Sequence, residues 1–190
     1  MPQPDHITRL DLPDRTVGDA ELEAYFQTCA EKLGLVPNVL RAYTGNPAKL
    51  RAFISMYNTL MLGPSGLSKL EREMIAVVVS NANHCYYCLV AHGQAVRALS
   101  DDPQLGEMMA LNYRVAELTP RQRAMLDVAW PLTVAPHDVG EAERQRLREA
   151  GLSEDEVFDV FDVAAFFNYT NRIAHGLDMI PNADYHAMNR

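Results

Sequence analysis

Apolar side chains recur along most of this chain at intervals of three and four residues, and no convincing run alternates with a period of two. That pattern predicts helices throughout and no sheet, an all-α fold. Capping residues mark the boundaries. Asp19 stands at the head of a helix to about Leu33, stopped by Gly34, and Pro37 starts a short helical turn. Asn46-Pro47 pairs a cap with a first-turn proline and opens an amphipathic stretch to about Leu62. Gly63-Pro64-Ser65-Gly66 then breaks the chain.

Ser68-Lys69-Leu70-Glu71 has capping-box spacing, so a helix runs from there to about Ser80. Asn81-Ala82-Asn83 interrupts it, and Asn83 is the expected cap of the next helix, over roughly 84–99. Asp102-Pro103 opens a short helix to about Tyr113, and Thr119-Pro120 opens another that Pro131 kinks or ends. Residues 139–150 read as a helix terminated by Gly151. Ser153-Glu154-Asp155-Glu156 is a second capping box, heading a long apolar helix to about Met179. The Pro-punctuated residues 1–18 read as an extended N-terminal arm, and 19–190 as a single helical domain.

The second half of the chain echoes the first. Leu67-Ser68, Arg72, Met74-Ile75 and Val77 return as Leu118-Thr119, Arg123, Met125-Leu126 and Val128 at an offset of 51 residues. Cys85-Tyr86, Cys88 and Ala91-His92-Gly93 return as Asn168-Tyr169, Asn171 and Ala174-His175-Gly176 at an offset of 83. Same order and different offsets fit a helix-pair duplication with an insertion in its second copy, although the first match taken alone is also generic helix-start grammar. That copy has asparagine where the first has cysteine.

With 190 residues, 48% hydrophobic and 22% charged, the chain has the composition of one ordinary globular domain. Its formal net charge of −8 argues against a nucleic-acid partner or an anionic membrane surface and suits a small neutral or hydrophobic substrate. No apolar run is long enough to span a membrane, and Met1 to Leu12 lacks the basic start and apolar stretch of a signal peptide, so the cytoplasm is the expected compartment. Three cysteines are an odd set, unlike a disulfide framework. Cys29, in a helical pattern far from the other two, reads as a small buried hydrophobe.

Residues 84–92 read His-Cys-Tyr-Tyr-Cys-Leu-Val-Ala-His. On a helix, Cys85, Cys88 and His92 share one face. Two thiols so spaced can close a disulfide without moving the backbone, and a neighbouring base could take a thiol proton. Capped by Asn83, Cys85 would lie in the first helical turn, where the free N–H groups and the dipole lower a thiol pKa. Cys88, a turn further in, gains less from the dipole but has His92 four residues on. Glu73 falls inside the apolar stripe of Leu70, Met74, Val77 and Val78, whereas Glu71 and Arg72 fall outside it. A buried carboxylate costs several kcal/mol unless paired or protonated, which marks Glu73 as a proton-relay candidate or as a partner of Arg97 or Arg172.

Glu73, then Cys85-x-Tyr87-Cys88-x-x-x-His92, resembles the active-site pattern of the alkylhydroperoxidase AhpD family, which also contains the carboxymuconolactone decarboxylases. Leu67-Ser68-x-x-Glu71-Arg72-Glu73-x-Ile75-Ala76 and Asn168-x-x-Asn171-Arg172 are similar to its uncharacterised peroxidase-related branch. The resemblance implies an AhpD-like helical bundle assembled as a homo-oligomer: a dimer, trimer or hexamer. It implies a hydroperoxide substrate, Cys88 as peroxidatic thiol and Cys85 as resolving thiol. Glu73 and His92 would pass protons, and Tyr87 would lend a hydroxyl. It further implies no bound cofactor, and an external dithiol of lipoyl type, or a protein, as reductant. His84, Asn168, Asn171 and His175 are candidates to line the pocket. Cys85, the more acidic sulfur by its place on the helix, would be the exposed partner for that reductant.

Other chemistries weigh less. Cys85, Cys88, His84 and His92 supply zinc-ligand types, but His84 would point away on a helix and no second CxxC or HxxxH exists, so no metal is expected. The decarboxylase sister activity has no need of two thiols. A non-enzymatic helical oligomer that senses oxidants would use the same disulfide without turnover. On the last long helix, Phe161, Phe166, Phe167 and Tyr169 could form an apolar wall favouring organic hydroperoxides. Phe166 and Phe167 are adjacent and are not expected to share a face.

Overall fold

The structure, a computed structural model, describes residues 3–190; residues 1 and 2 of the expected arm lie outside the described residues. Among the described residues there is no strand, and the fold is an all-α bundle. The described residues form nine α-helices: α1 Ala20–Leu33, α2 Asn38–Ala42, α3 Pro47–Tyr57, α4 Lys69–Ala82, α5 Tyr86–Ser100, α6 Pro103–Asn112, α7 Pro120–Val134, α8 Glu141–Glu149 and α9 Glu154–Gly176. Among the described residues no helix is long and apolar enough to cross a membrane.

The caps act as their residue types require. Asp19 accepts from Leu22 N–H and Asn46 from Lys49 N–H, while Gly34 closes α1 at φ +77°, where a side chain would be strained. Ser68/Glu71, Thr119/Gln122 and Ser153/Glu156 form reciprocal capping boxes. α3 does not stop at Tyr57 but widens into a π-turn over Asn58–Leu62. Pro131 does not end α7, which runs on to Val134. α9 ends at Gly176, three residues earlier than the apolar pattern implies, and Asp178 then takes a left-handed conformation at φ 48°.

α4 is the axis of the core. Ten consecutive residues, Glu71 to Ser80, are buried, because α5, α7 and α9 all pack against it. Its fully buried Ile75, Val77, Val78 and Val79 contribute roughly 1.5–3 kcal/mol each by leaving water. Such burial needs answers for the polar residues on this helix. Contrary to the stripe argument, Glu71 and Arg72 are inside as well. Arg121 binds Glu71 at 3.0 Å, and Arg72 donates to the carbonyls of Leu60 at 2.8 Å and Gly63 at 3.0 Å.

The sequence echo carries into contacts. Arg123, the counterpart of Arg72, likewise donates to the carbonyls that end the preceding turn, Ala116 at 2.7 Å and Tyr113 at 3.3 Å. α4 and α5 follow one another directly, whereas α8 lies between α7 and α9 in the chain. Residues 135–153, which include that helix, supply part of the difference between the two offsets.

Both chain ends lie along the bundle. In the arm, Arg9 N–H donates to Leu177 O at 2.9 Å, and Ile180 N–H to Ile7 O at 3.2 Å. The C-terminal tail folds back on α5, where buried Arg97 donates to the carbonyls of Tyr185 at 2.8 Å and Met188 at 3.0 Å.

Candidate active site

The site begins at the junction of α4 and α5. His84 takes φ 53°, its N–H donates to Asn81 O at 2.9 Å, and the Cys85 N–H donates to Ser80 O at 2.8 Å. This is a Schellman closure of α4 with His84 at the left-handed position. The expected cap, Asn83, therefore belongs to the end of α4, and Cys85 itself is the N-cap of α5. His84 points its residue position to solvent and lines no cavity.

Both thiols are buried, Cys85 at 1% and Cys88 at 3% exposure. The expectation of an exposed Cys85 is thus corrected: the fold covers it. No disulfide is formed. The Cys85 thiol is brought down to about 7, first because the Cys88 thiol hydrogen-bonds to it, with the Cys88 backbone N–H, His175 and His92 adding to the effect against burial. Cys88 is pushed well up, first by that same bond to Cys85 and then by burial and the Cys85 charge. The shared proton favours Cys88, and Cys85 is the more acidic of the two sulfurs.

A chain of amides backs the pair. Asn171, fully buried on α9, donates to Ser80 Oγ at 3.0 Å and accepts from Asn83 Nδ2 at 2.9 Å. Its side chain and that of Ser80 both favour the ionised form of Cys88. Asn83 Nδ2 also donates to Asn168 Oδ1 at 3.1 Å, and His175 Nε2 meets Asn83 O at 3.0 Å. Asn168, Asn171 and His175 therefore lie behind the cysteines rather than on the cavity wall. Ser80 escaped the sequence reading, because a serine near a helix end carries no distinguishing signal.

Glu73 does not pair with Arg97 or Arg172. Its Oε2 lies 2.7 Å from His92 Nδ1, with both side chains nearly excluded from water. An ionised carboxylate only accepts, so Nδ1 carries the proton and Nε2 is left free. The ring is fixed edge-on against Phe167, 4.6 Å between centroids.

A cavity of about 540 Å³ opens in front of this group. Cys88, His92 and Tyr87 are on its wall, and Cys85 is not. Phe53, Phe166 and Phe167 make it apolar, so the adjacent Phe166 and Phe167 do share the cavity, their rings edge to face at 5.5 Å. Phe161 and Tyr169 are elsewhere. The Tyr87 hydroxyl accepts from Val39 N–H at 2.9 Å, which leaves its proton free to donate. Tyr57 and Tyr185, also on the wall, are raised by burial, with the Glu73 charge contributing, and so remain phenols. Neither was legible: one precedes the π-turn and the other sits in the tail. Cys29 lines the same space as a half-buried thiol pushed up by burial. A larger, more open groove of about 770 Å³, around Tyr43, Met56 and Tyr169, contains no cysteine and no histidine. Among the described residues no group of histidine, cysteine or carboxylate side chains is placed to hold a metal ion.

Residues 47–130 match the carboxymuconolactone decarboxylase family. An uncharacterised peroxidase-related protein from Silicibacter sp. TM1040 is 56% identical over the whole of both chains, with a TM-score of 0.96. A second, from Ralstonia eutropha JMP134 and described as an alkylhydroperoxidase AhpD core, is 38% identical over 98% of each chain, with a TM-score of 0.93. The debrominase Bmp8 shares the fold at 18% identity over 96% of this chain and 97% of its own, with a TM-score of 0.81. No curated protein matches in sequence.

Proposed function

The chain belongs to the AhpD-like carboxymuconolactone decarboxylase family, and on that premise we propose that it is a thiol-dependent peroxidase reducing organic hydroperoxides through Cys85 and Cys88. The observation that carries this reading is the division of labour around the cavity. Cys88 stands on its wall with His92 one helical turn away, while the Cys85 thiolate waits behind.

A hydroperoxide enters, and the Cys88 proton passes to His92 Nε2, whose Nδ1–H is held by Glu73. The Cys88 thiolate attacks the terminal peroxide oxygen and the O–O bond breaks. Sulfur is oxidised to sulfenic acid, and the alkoxide takes the proton from His92 and leaves as alcohol. Tyr87 donates its hydroxyl to the peroxide during this step. The Cys85 thiolate then attacks the sulfenic sulfur, the S–O bond breaks, and the hydroxide released takes a proton from solvent. One peroxide and two thiols become one alcohol, one water and the Cys85–Cys88 disulfide.

An external dithiol or a partner protein restores the thiols by exchange, so the reading asks for no bound cofactor. It places the protein in the cytoplasm, where thiols are kept reduced. It also includes a homo-oligomer, supported by exposed Met56, Leu62, Phe158 and Tyr169 on elements that pack together. The test is a free-thiol count and intact mass before and after one equivalent of an organic hydroperoxide. Loss of two thiols and two mass units is expected. In Cys85→Ser a single sulfenic acid should accumulate on Cys88. Thiols that react no faster than free cysteine would overturn the reading.

A further inference from the structure

The cavity wall is charged at only two lysines and carries no Asp or Glu, in a chain where 25 acidic residues outnumber 17 basic ones. Lys32 and Lys69 are both exposed, whereas Cys88, Tyr87, Phe166 and Phe167 are buried. The lysines therefore stand at the mouth and the aromatic wall lies within. The chain has three lysines in all, and two are here. Among the described residues neither forms a hydrogen bond or an ion pair. Lys69 is also the first residue of α4, where a cation opposes the helix dipole and costs about 0.3–1 kcal/mol. Its charge does nothing for that helix.

We propose that the substrate of this site is a carboxylate-bearing organic hydroperoxide, whose apolar body fills the cavity while its carboxylate stays at the mouth between Lys32 and Lys69. The inference rests on the peroxidase reading and narrows it. A space of about 540 Å³ is the size that encloses one drug-sized molecule, suited to a single acyl chain or a substituted aromatic acid rather than a two-chain lipid. The net charge of −8 repels anions at long range, so a cationic mouth selects for one against the field of the whole molecule. Overall acidity suggested a neutral substrate, and the local charge at the entrance points the other way. The carboxylate is a handle only and leaves unchanged. The hydroperoxide becomes an alcohol as the two thiols are oxidised.

The experiment compares linoleic acid hydroperoxide with its methyl ester, in wild type, Lys32→Gln/Lys69→Gln and Lys32→Arg/Lys69→Arg. The rate of thiol loss is one readout. Calorimetric binding of the corresponding hydroxy acid and its ester is the other, and needs no chemistry. The acid should be favoured over the ester by about ten-fold in wild type, less so at high salt. The preference should vanish in the glutamine double variant and survive in the arginine one. Cumene hydroperoxide, which carries no charge, should react equally with all three. An acid preference that is absent, or that persists in the glutamine variant, overturns the proposal. Should no hydroperoxide oxidise the thiols while the hydroxy acid still binds through the lysines, the peroxidase reading fails and the anion site stands. If it binds without them, both fail.

Discussion

Glu73 on α4 and His92 on α5 hold one another at 2.7 Å across the most extensively packed helix pair of the molecule. The contact fixes which imidazole nitrogen is left for proton transfer, and it keeps a carboxylate against a ring that the proposed step asks to take up a proton. Glu73→Gln preserves the volume and a carbonyl acceptor for Nδ1–H while removing the charge. Rapid-mixing measurement of thiol loss against cumene hydroperoxide should show a fall of about 10²-fold, the usual scale for a positioned acid–base group. The thermal midpoint should hardly move. A variant as fast as wild type would separate this pair from the chemistry.

Cys85 titrates near 7 because Cys88 donates to it, so its thiolate fraction rises through pH 7 and levels off above. An unperturbed thiol would keep gaining until about two units higher. Cys88→Ala removes the largest cause of the lowering, and the Cys85 titration should move up toward the ordinary range. Thiolate absorbance near 240 nm as a function of pH reads this directly. A curve unchanged by Cys88→Ala would show that the helix terminus and His175, rather than the second thiol, hold the charge.

Helix order and caps could be read from the chain because Asp19, Ser68, Thr119 and Ser153 act locally, within three residues of themselves. The same locality makes the Cys85, Cys88 and His92 face legible. What failed was non-local. Glu71 and Arg72 look outward on a wheel, but α4 is enclosed over Glu71–Ser80, and each finds a partner outside its own helix: Arg121 of α7 for Glu71, and the carbonyls of Leu60 and Gly63 for Arg72. Asn83 was misplaced because a histidine at φ 53° does the work usually given to glycine, which moves the helix start two residues on. Tyr57, Tyr185 and the two mouth lysines carry no sequence signal, since tertiary packing alone gathers them.

The arm packs on the apolar cluster that contains Cys85. Ile7 packs against the small apolar cluster containing both cysteines, held by two backbone hydrogen bonds and by Arg9 and His6 on Asp178. Asp178 and Arg9 are exposed, so these pairs hold the arm only weakly. Removing residues 1–10 should leave the bundle folded and speed both alkylation of Cys85 and reduction of the disulfide by dithiothreitol, by about ten-fold. Mass-mapped alkylation decides it. Equal rates would mean that a reductant reaches the pair by another route.

Asn171 stands at the position of α9 that echoes Cys88 in the sequence, and its side chain supports the cysteine pair. Its amide joins Ser80 Oγ to Asn83 Nδ2 at full burial. Asn171→Leu keeps the bulk and leaves the buried Ser80 hydroxyl and the half-buried Asn83 amide each with one partner fewer, costing about 1–3 kcal/mol. It also removes one of the two side chains that favour ionised Cys88, so peroxide reactivity should fall while the Cys85 titration stays near 7. Asn171→Asp adds a negative charge beside the thiols, and should slow the reaction further and raise the Cys85 titration as well. Denaturant unfolding with the pH profile of thiol loss distinguishes the two effects. A stability loss without a change in reactivity would confine Asn171 to holding α9 against α4.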